Sequence, residues 1–240
     1  MNQYKTLAVV LNVKVVGEND RLYTFYTEKY GKISLLAEGA SKIKAKLSGH
    51  LDKLNLVEII FTTTYQNRLI TALVKESFLN IKKKFKPLKA AFSIVELVDE
   101  YTLFNQKDST LWQLLLNSLY FLEENSNKFE EVADFTPLYF NAQLLNILGV
   151  APFLEGCVVC GSQINTHFFS LKEKGLVCPK HKKETDLRID NQKIRILQTL
   201  FTASLDKFKK PQIILKVLKE KKFLNHFLEE FTLSIKSVIM

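Results

Sequence analysis

The 240-residue chain carries 34 Lys and Arg against 25 Asp and Glu, a formal charge of +9, with 47% hydrophobic residues and only three cysteines. Such an apolar fraction supports packed cores in one large or two small domains, and the sparse, odd cysteine count excludes a secreted disulfide scaffold. No apolar run approaches the roughly eighteen residues of a membrane helix, and the opening run Leu7–Val13 meets Lys14 too early for a secretory signal, so a cytoplasmic protein with no membrane partner is expected.

The first eighty residues have the composition of strands. Thr6–Val16 is rich in β-branched residues, and Arg21–Thr27 and Lys32–Glu38 follow, separated by the turn formers Gly17–Asp20 and Tyr30-Gly31. A basic, glycine-bounded loop spans Gly39–Gly49; Leu54–Thr64 and Arg68–Lys75 complete five strands, with a turn at Gln66-Asn67. Five short strands with one long excursion predict a small barrel of the OB type, with an SH3-like barrel as the alternative.

Beyond Lys82-Lys83-Lys84 the apolar spacing becomes helical. Leu88–Phe104 forms one helix, and Asp108 or Ser109 caps a second with a stripe of Leu111, Leu114, Leu115, Leu119 and Leu122. A third helix is expected to enter near Pro137 and stop at Gly149. After a cysteine-bearing segment with a short hairpin-like run at His167–Ser170, Lys193–Leu205, Pro211–Leu218 and Phe223–Val238 predict three more helices. The expected class is therefore α+β, an N-terminal five-stranded OB-type barrel followed by an all-helical domain that carries a small zinc-binding module. The expected divisions are 1–80 (barrel), 81–150 (helices), 151–187 (zinc module) and 188–240 (C-terminal helices).

All three cysteines fall in one stretch, Cys157-Val158-Val159-Cys160 and then Cys178-Pro179-Lys180-His181, which is C-x2-C-x17-C-x2-H. Two such knuckles close a tetrahedron around a single zinc ion and leave no open position for water, the arrangement of a structural site. A disulfide between Cys157 and Cys160 would strand Cys178, and no βαβ pattern surrounds a redox pair. His181 is the expected fourth ligand and His167 the alternative. A deaminase would need H-x-E paired with P-C-x-x-C, and neither is present.

Catalysis finds no support. The chain has no phosphate-binding glycine loop, no nucleophile elbow and no H-E-x-x-H, and its four histidines are scattered. Glu123-Glu124 and Glu130-Glu131 are expected on solvated helix ends.

Nucleic-acid binding finds more. The charge is uneven: residues 1–90 sum to +9, 91–150 to −7 and 151–240 to +7. Lys42, Lys44 and Lys46 alternate along the Gly39–Gly49 loop, so that an extended loop turns all three ammonium groups toward one phosphate track. Tyr23, Phe25, Tyr26, Tyr30 and Tyr65 are candidate base-stacking platforms on the barrel; Tyr23 and Phe25 share a face, with Tyr26 on the other.

The segments Gly17-Glu18-Asn19-Asp20-Arg21-Leu22, Glu28-Lys29-Tyr30-Gly31-Lys32, the loop Gly39–Gly49, and Leu148-Gly149-Val150-Ala151-Pro152 followed by Cys157, Cys160 and Gly161 together resemble the bacterial recombinational repair RecO family. That resemblance implies a DNA-binding mediator of recombinational repair that binds single- and double-stranded DNA and anneals complementary strands. It implies RecR as partner, the C-terminal tail of single-stranded DNA-binding protein as a second contact, and RecA indirectly, with a nucleoid-associated location. By the same match, DNA contacts fall on Lys42, Lys44 and Lys46, and on Arg21 and Lys32, with Cys157, Cys160, Cys178 and His181 on one zinc ion. The alternatives are an RNA- or transcription-associated zinc-ribbon and OB protein, or an adaptor acting through the acidic middle.

Overall fold

The computed structural model describes residues 2–39, 51–63, 67–163 and 167–239. Their contacts divide the chain into two compact units, Met1–Glu130 and Glu131–Met240.

The first unit opens with five strands, β1 (Gln3–Val16), β2 (Asp20–Thr27), β3 (Gly31–Ala37), β4 (Leu56–Thr63) and β5 (Asn67–Glu76). They close into a barrel in the order β1-β2-β3-β5-β4, the OB connectivity expected from the strand pattern. Closure depends on the length of β1, which pairs antiparallel with β4 through its first half and with β2 through its second. A bulge between Val10 and Asn12 bends the strand between those partners. The ring is completed by a parallel contact of Leu36 with Arg68, where β3 meets β5.

Alternation fills the barrel with Val10, Tyr23, Phe25, Ile33, Leu35, Val57, Ile59 and Phe61. Leu51, the first described residue after the basic loop, adds to this core and is 3% exposed.

Three helices complete the unit, α1 (Leu79–Lys82), α2 (Phe85–Tyr101) and α3 (Ser109–Asn125). Asp108 caps α3 by accepting from the amides of Thr110 and Leu111 at 2.8 and 2.9 Å. The α2 helix ends at Tyr101, three residues short of the sequence-based expectation. Phe104 instead bridges to Lys32 beside β3. The short α1 depends on a distant carboxylate: the two oxygens of Glu123 on α3 each accept at 2.9 Å, from Asn80 N and Ile81 N.

The second unit begins with α4 (Glu131–Ile147), which starts six residues before the expected entry at Pro137. Pro137 lies inside this helix, where it removes the amide that would reach the Ala133 carbonyl. Thr136 donates to the Val132 carbonyl one position away, at 2.7 Å. Gly149 ends the helix at φ +71°, with its own amide on Asn146 O and that of Val150 on Leu145 O, a Schellman closure.

A small sheet ordered β7-β6-β8 follows, built from β6 (His167–Ser170), β7 (Gly175–Val177) and β8 (Leu187–Ile189). Then come α5 (Asn191–Thr202), a 3-10 turn at Leu205–Lys209, α6 (Pro211–Leu218) and α7 (Lys221–Ile239). The α4 helix packs on α5, α6 and α7. Phe135, Tyr139 and Phe208 form one aromatic cluster, and Phe169, Phe227 and Phe231 a second. No described helix is long and apolar enough to cross a membrane.

Candidate metal centre and nucleic-acid surface

In the second unit, the turn Cys157–Cys160 is drawn tight by Gly161, whose amide donates to Cys157 O at 2.8 Å from φ +70°. The facing turn is closed by His181 N on Cys178 O at 3.0 Å. These two knuckles bring Cys157, Cys160, Cys178 and His181 together, with one ligand atom from each all within 4.8 Å of one another. His181 Nδ1 lies 3.2 Å from Cys178 Sγ and 3.8 Å from Cys157 Sγ. Those two separations lie close to the edges, roughly 3.3–3.8 Å, of a tetrahedron of thiolates and imidazole around an ion about 2.0–2.3 Å away.

The electrostatics suit thiolate. Burial pushes the Cys157 thiol up, yet the amides of Cys178, Cys160 and Val159 outweigh it and hold the group at about 6. Cys178 N points at Cys157 Sγ from 3.4 Å. Cys157 and Cys178 are buried while Cys160 and His181 face solvent, so the cluster sits at the edge of the small sheet. Three thiols and one imidazole could therefore hold a metal ion. His167, the alternative ligand, is outside the cluster. It instead lines a small cavity with Glu155 and Arg195, and its buried Nδ1 has no partner among the described residues.

In the first unit, Lys42, Lys44 and Lys46 lie outside the described residues, but both ends of their loop are anchored. Asp20 Oδ1 accepts from Gly39 N at 2.7 Å at the entrance, and Leu51 is sunk in the barrel core at the exit. Nothing in the sequence pattern hints at this use of Asp20 beyond its place in a turn. Arg21 is half-buried on β2, opposite Val15 and Ala37.

Lys32, expected as a DNA contact, is buried and engaged within the first unit. Its side chain is 8% exposed, and its Nζ donates to the Asp99 carbonyl at 2.6 Å, with the Asp99 carboxylate at 3.5 Å. The Phe104 ring lies 4.8 Å from the same ammonium. Its charge is spent on fixing α2 against the barrel.

The aromatic expectation also changes. Tyr23 and Phe25 are inside the barrel and Tyr26, on the other face, packs against Trp112 of α3, all three at most 1% exposed. None can stack a base. Tyr30 is half-buried against Tyr4 and Phe61, and Tyr65 lies outside the described residues. A closed barrel takes up one face of β2, and α3 takes the other.

Much of the acidic middle is likewise occupied. Asp99 meets Lys32, Asp108 caps α3, Glu123 holds α1, and Glu130 pairs with Lys86. In the second unit, Asp134 pairs with Lys221 at 2.8 Å.

Comparison with known proteins gives these features a common frame. Residues 1–78 match the family model "Recombination protein O N terminal", and residues 85–232 match "Recombination protein O C terminal". The chain is similar to DNA repair protein RecO of Acetivibrio thermocellus, at 32% identity over 75% of this chain and 71% of that protein. It is similar to the protein of the same name from Caldicellulosiruptor bescii, at 30% identity over 88% of this chain and 85% of the other. With both of its halves matched, the chain belongs to the recombination protein O family.

Proposed function

We propose that this chain is a DNA-binding mediator of recombinational repair, and that it anneals complementary strands without covalent catalysis. The observation that carries the reading is the coincidence of a closed OB-type barrel with matches to both halves of the recombination protein O family. Relatives named DNA repair protein RecO support the repair role.

In this reading Lys42, Lys44 and Lys46 carry the phosphate contacts, on a loop that the Asp20–Gly39 bond and buried Leu51 hold at both ends. Arg21, on β2, is proposed to add to them, and Lys32 is left out because its ammonium is buried. Lysines in such a loop screen the repulsion between two phosphate backbones, so that single strands and duplex are both held and complementary strands can pair.

The Cys157, Cys160, Cys178 and His181 cluster would hold one structural zinc ion, which supplies local folding free energy rather than reactivity. RecR and the tail of single-stranded DNA-binding protein are the proposed protein partners, with loading of RecA as the outcome, in the cytoplasm and on the nucleoid. An acidic tail with an apolar end is matched by the groove of about 730 Å³ between α5 and α6. Ile196, Ile213 and Val217 line it, and Arg195, Lys207 and Lys216 rim it. The barrel, helices and metal module are proposed to follow the divisions 1–80, 81–150, 151–187 and 188–240. The competing adaptor role through residues 91–150 is weakened because so many of those carboxylates have intramolecular partners.

The test is strand annealing with and without the cognate single-stranded DNA-binding protein. Annealing by the unaltered chain, persisting on coated strands and lost when Lys42, Lys44 and Lys46 all become alanine, supports the reading. No annealing and no DNA affinity at low salt would overturn it.

A further inference from the structure

Among the described residues of the first unit two rings are more than half exposed, and one of them, Phe104, lies over the Lys32 ammonium. Phe85, the first residue of α2, is 79% exposed, the highest value among the large hydrophobic residues described. It stands in the segment Lys82-Lys83-Lys84-Phe85-Lys86-Pro87-Leu88-Lys89. From residue 77 to residue 95 there are five lysines and no Asp or Glu. Nothing in the packing accounts for the ring, since Pro87 and Ala90 supply the buried face of that turn.

We infer that Phe85, with Lys83, Lys84, Lys86 and Lys89 around it, forms a second contact for single-stranded DNA, separate from the basic loop. This rests on the reading of the chain as a DNA-binding protein and adds to it the site at which a base is stacked.

The neighbouring charges favour a polyanion. Lys83 and Lys89 are exposed, with no ion-pair partner among the described residues. Lys84 donates to the Ser126 carbonyl at 3.1 Å, a neutral acceptor that leaves its charge uncompensated. Lys86 pairs with Glu130 at 2.9 Å, both side chains so exposed (60% and 73%) that water and salt screen the pair. A ring flanked by ammonium groups, free of carboxylates on its own segment, is the arrangement in which proteins stack bases while tracking a phosphate backbone.

Position supports the same occupant. Lys82, partly buried, donates to Asn55 Oδ1. Asn55 lies four residues after Leu51, where the chain returns from the loop of Lys42, Lys44 and Lys46. The α1–α2 corner is thereby fastened to the strand-entry segment that follows the loop, within the same unit. The Glu123 carboxylate, which holds the amides of Asn80 and Ile81, fixes the corner from behind.

The test compares four variants of the full chain, the triple alanine variant of Lys42, Lys44 and Lys46 among them, on a fluorescent oligo(dT) and on an abasic oligonucleotide of the same length. Phe85→Ala should weaken oligo(dT) binding about tenfold, as expected for one lost stack, and leave abasic binding unchanged. Replacing Lys83 and Lys89 together with glutamine should weaken both ligands and lower the single-strand salt slope by about 1.4. Phe85→Trp adds a solvent-exposed indole to the buried one of Trp112, and its emission should be quenched by unlabelled oligo(dT). Unchanged affinity in Phe85→Ala together with unquenched emission in Phe85→Trp overturns the inference, while loss in the Lys42, Lys44 and Lys46 variant keeps the parent reading. Absence of any DNA affinity in the unaltered chain removes both.

Discussion

Lys32 on β3 and Asp99 on α2 are joined twice, once through the Asp99 backbone carbonyl at 2.6 Å and once through its carboxylate at 3.5 Å. The first contact is the stronger, because the ammonium is buried while the Asp99 side chain remains 36% exposed and screened. Lys32 thus behaves as a strut between barrel and helix. Lys32→Met should cost about 1–3 kcal/mol of stability, the usual range for a buried charge-assisted hydrogen bond, read as a lower urea midpoint. DNA affinity and its salt slope should stay at the wild-type values. A reduced slope at unchanged stability would return Lys32 to the DNA surface.

Gly31, one residue earlier, is fixed by the same junction. Its φ is +65°, and a Cβ built on it would lie 1.9 Å from the Gln106 carbonyl oxygen. Gly31→Ala therefore adds backbone strain, about 1–3 kcal/mol, and also displaces the 105–107 segment that Asn105 N ties to Lys32 O at 2.9 Å. Gly17 provides the comparison, since at φ +61° an added Cβ meets nothing within 4 Å. Gly17→Ala should lose only the left-handed backbone cost, about 1–2 kcal/mol. Equal urea midpoints for the two variants would mean that the contact with Gln106 is of no consequence.

The outline of this fold was legible where local chemistry decides it. Five strands follow from β-branched runs and turn residues, and His167–Ser170 and Pro211–Leu218 have the bounds expected of them. The four-residue metal cluster follows from ligand spacing alone. What sequence could not supply was the destination of side chains whose partners are remote. Tyr26 alternates correctly with Phe25, but the cover over its face comes from Trp112, and Lys32 resembles any surface lysine until α2 arrives. Pro137 signals a helix start by local rules, and tertiary packing of Val132, Phe135 and Leu138 carries the helix past it. The lysines around Phe85 were visible as a charge run. Its exposure was not, because the expected helix begins at Leu88 and periodicity says nothing of a ring ahead of it.

The metal centre makes a separate prediction. The purified chain should hold about one zinc per molecule by elemental analysis, and Cys178→Ser or His181→Ala should lose it. His167→Ala should retain it, because that ring lies outside the cluster. Chelation should loosen the 157–189 segment, seen as faster amide exchange at Cys178 and Leu176, and leave exchange in the barrel unaffected. Zinc retained by Cys178→Ser, or absent from the unaltered chain, would remove the structural-ion proposal without touching the DNA contacts.

Alkaline pH tests the packing of α4. Burial first, and Asp206 second, raise the Tyr139 hydroxyl from its ordinary value near 10 to about 12, while the hydroxyl donates to the Ala203 carbonyl at 3.2 Å. In the unfolded chain the phenol ionises near 10, so the native state binds the proton more tightly across this interval. The stabilisation is therefore complete below pH 10 and is lost as pH rises toward 12. Thermal melts followed by far-ultraviolet circular dichroism should show Tm falling over that window. Tyr139→Phe lacks the ionisable group and should flatten the fall, at the expense of a slightly lower Tm near neutral pH from the missing hydrogen bond. An alkaline limb of the same steepness in Tyr139→Phe would assign the loss to other groups.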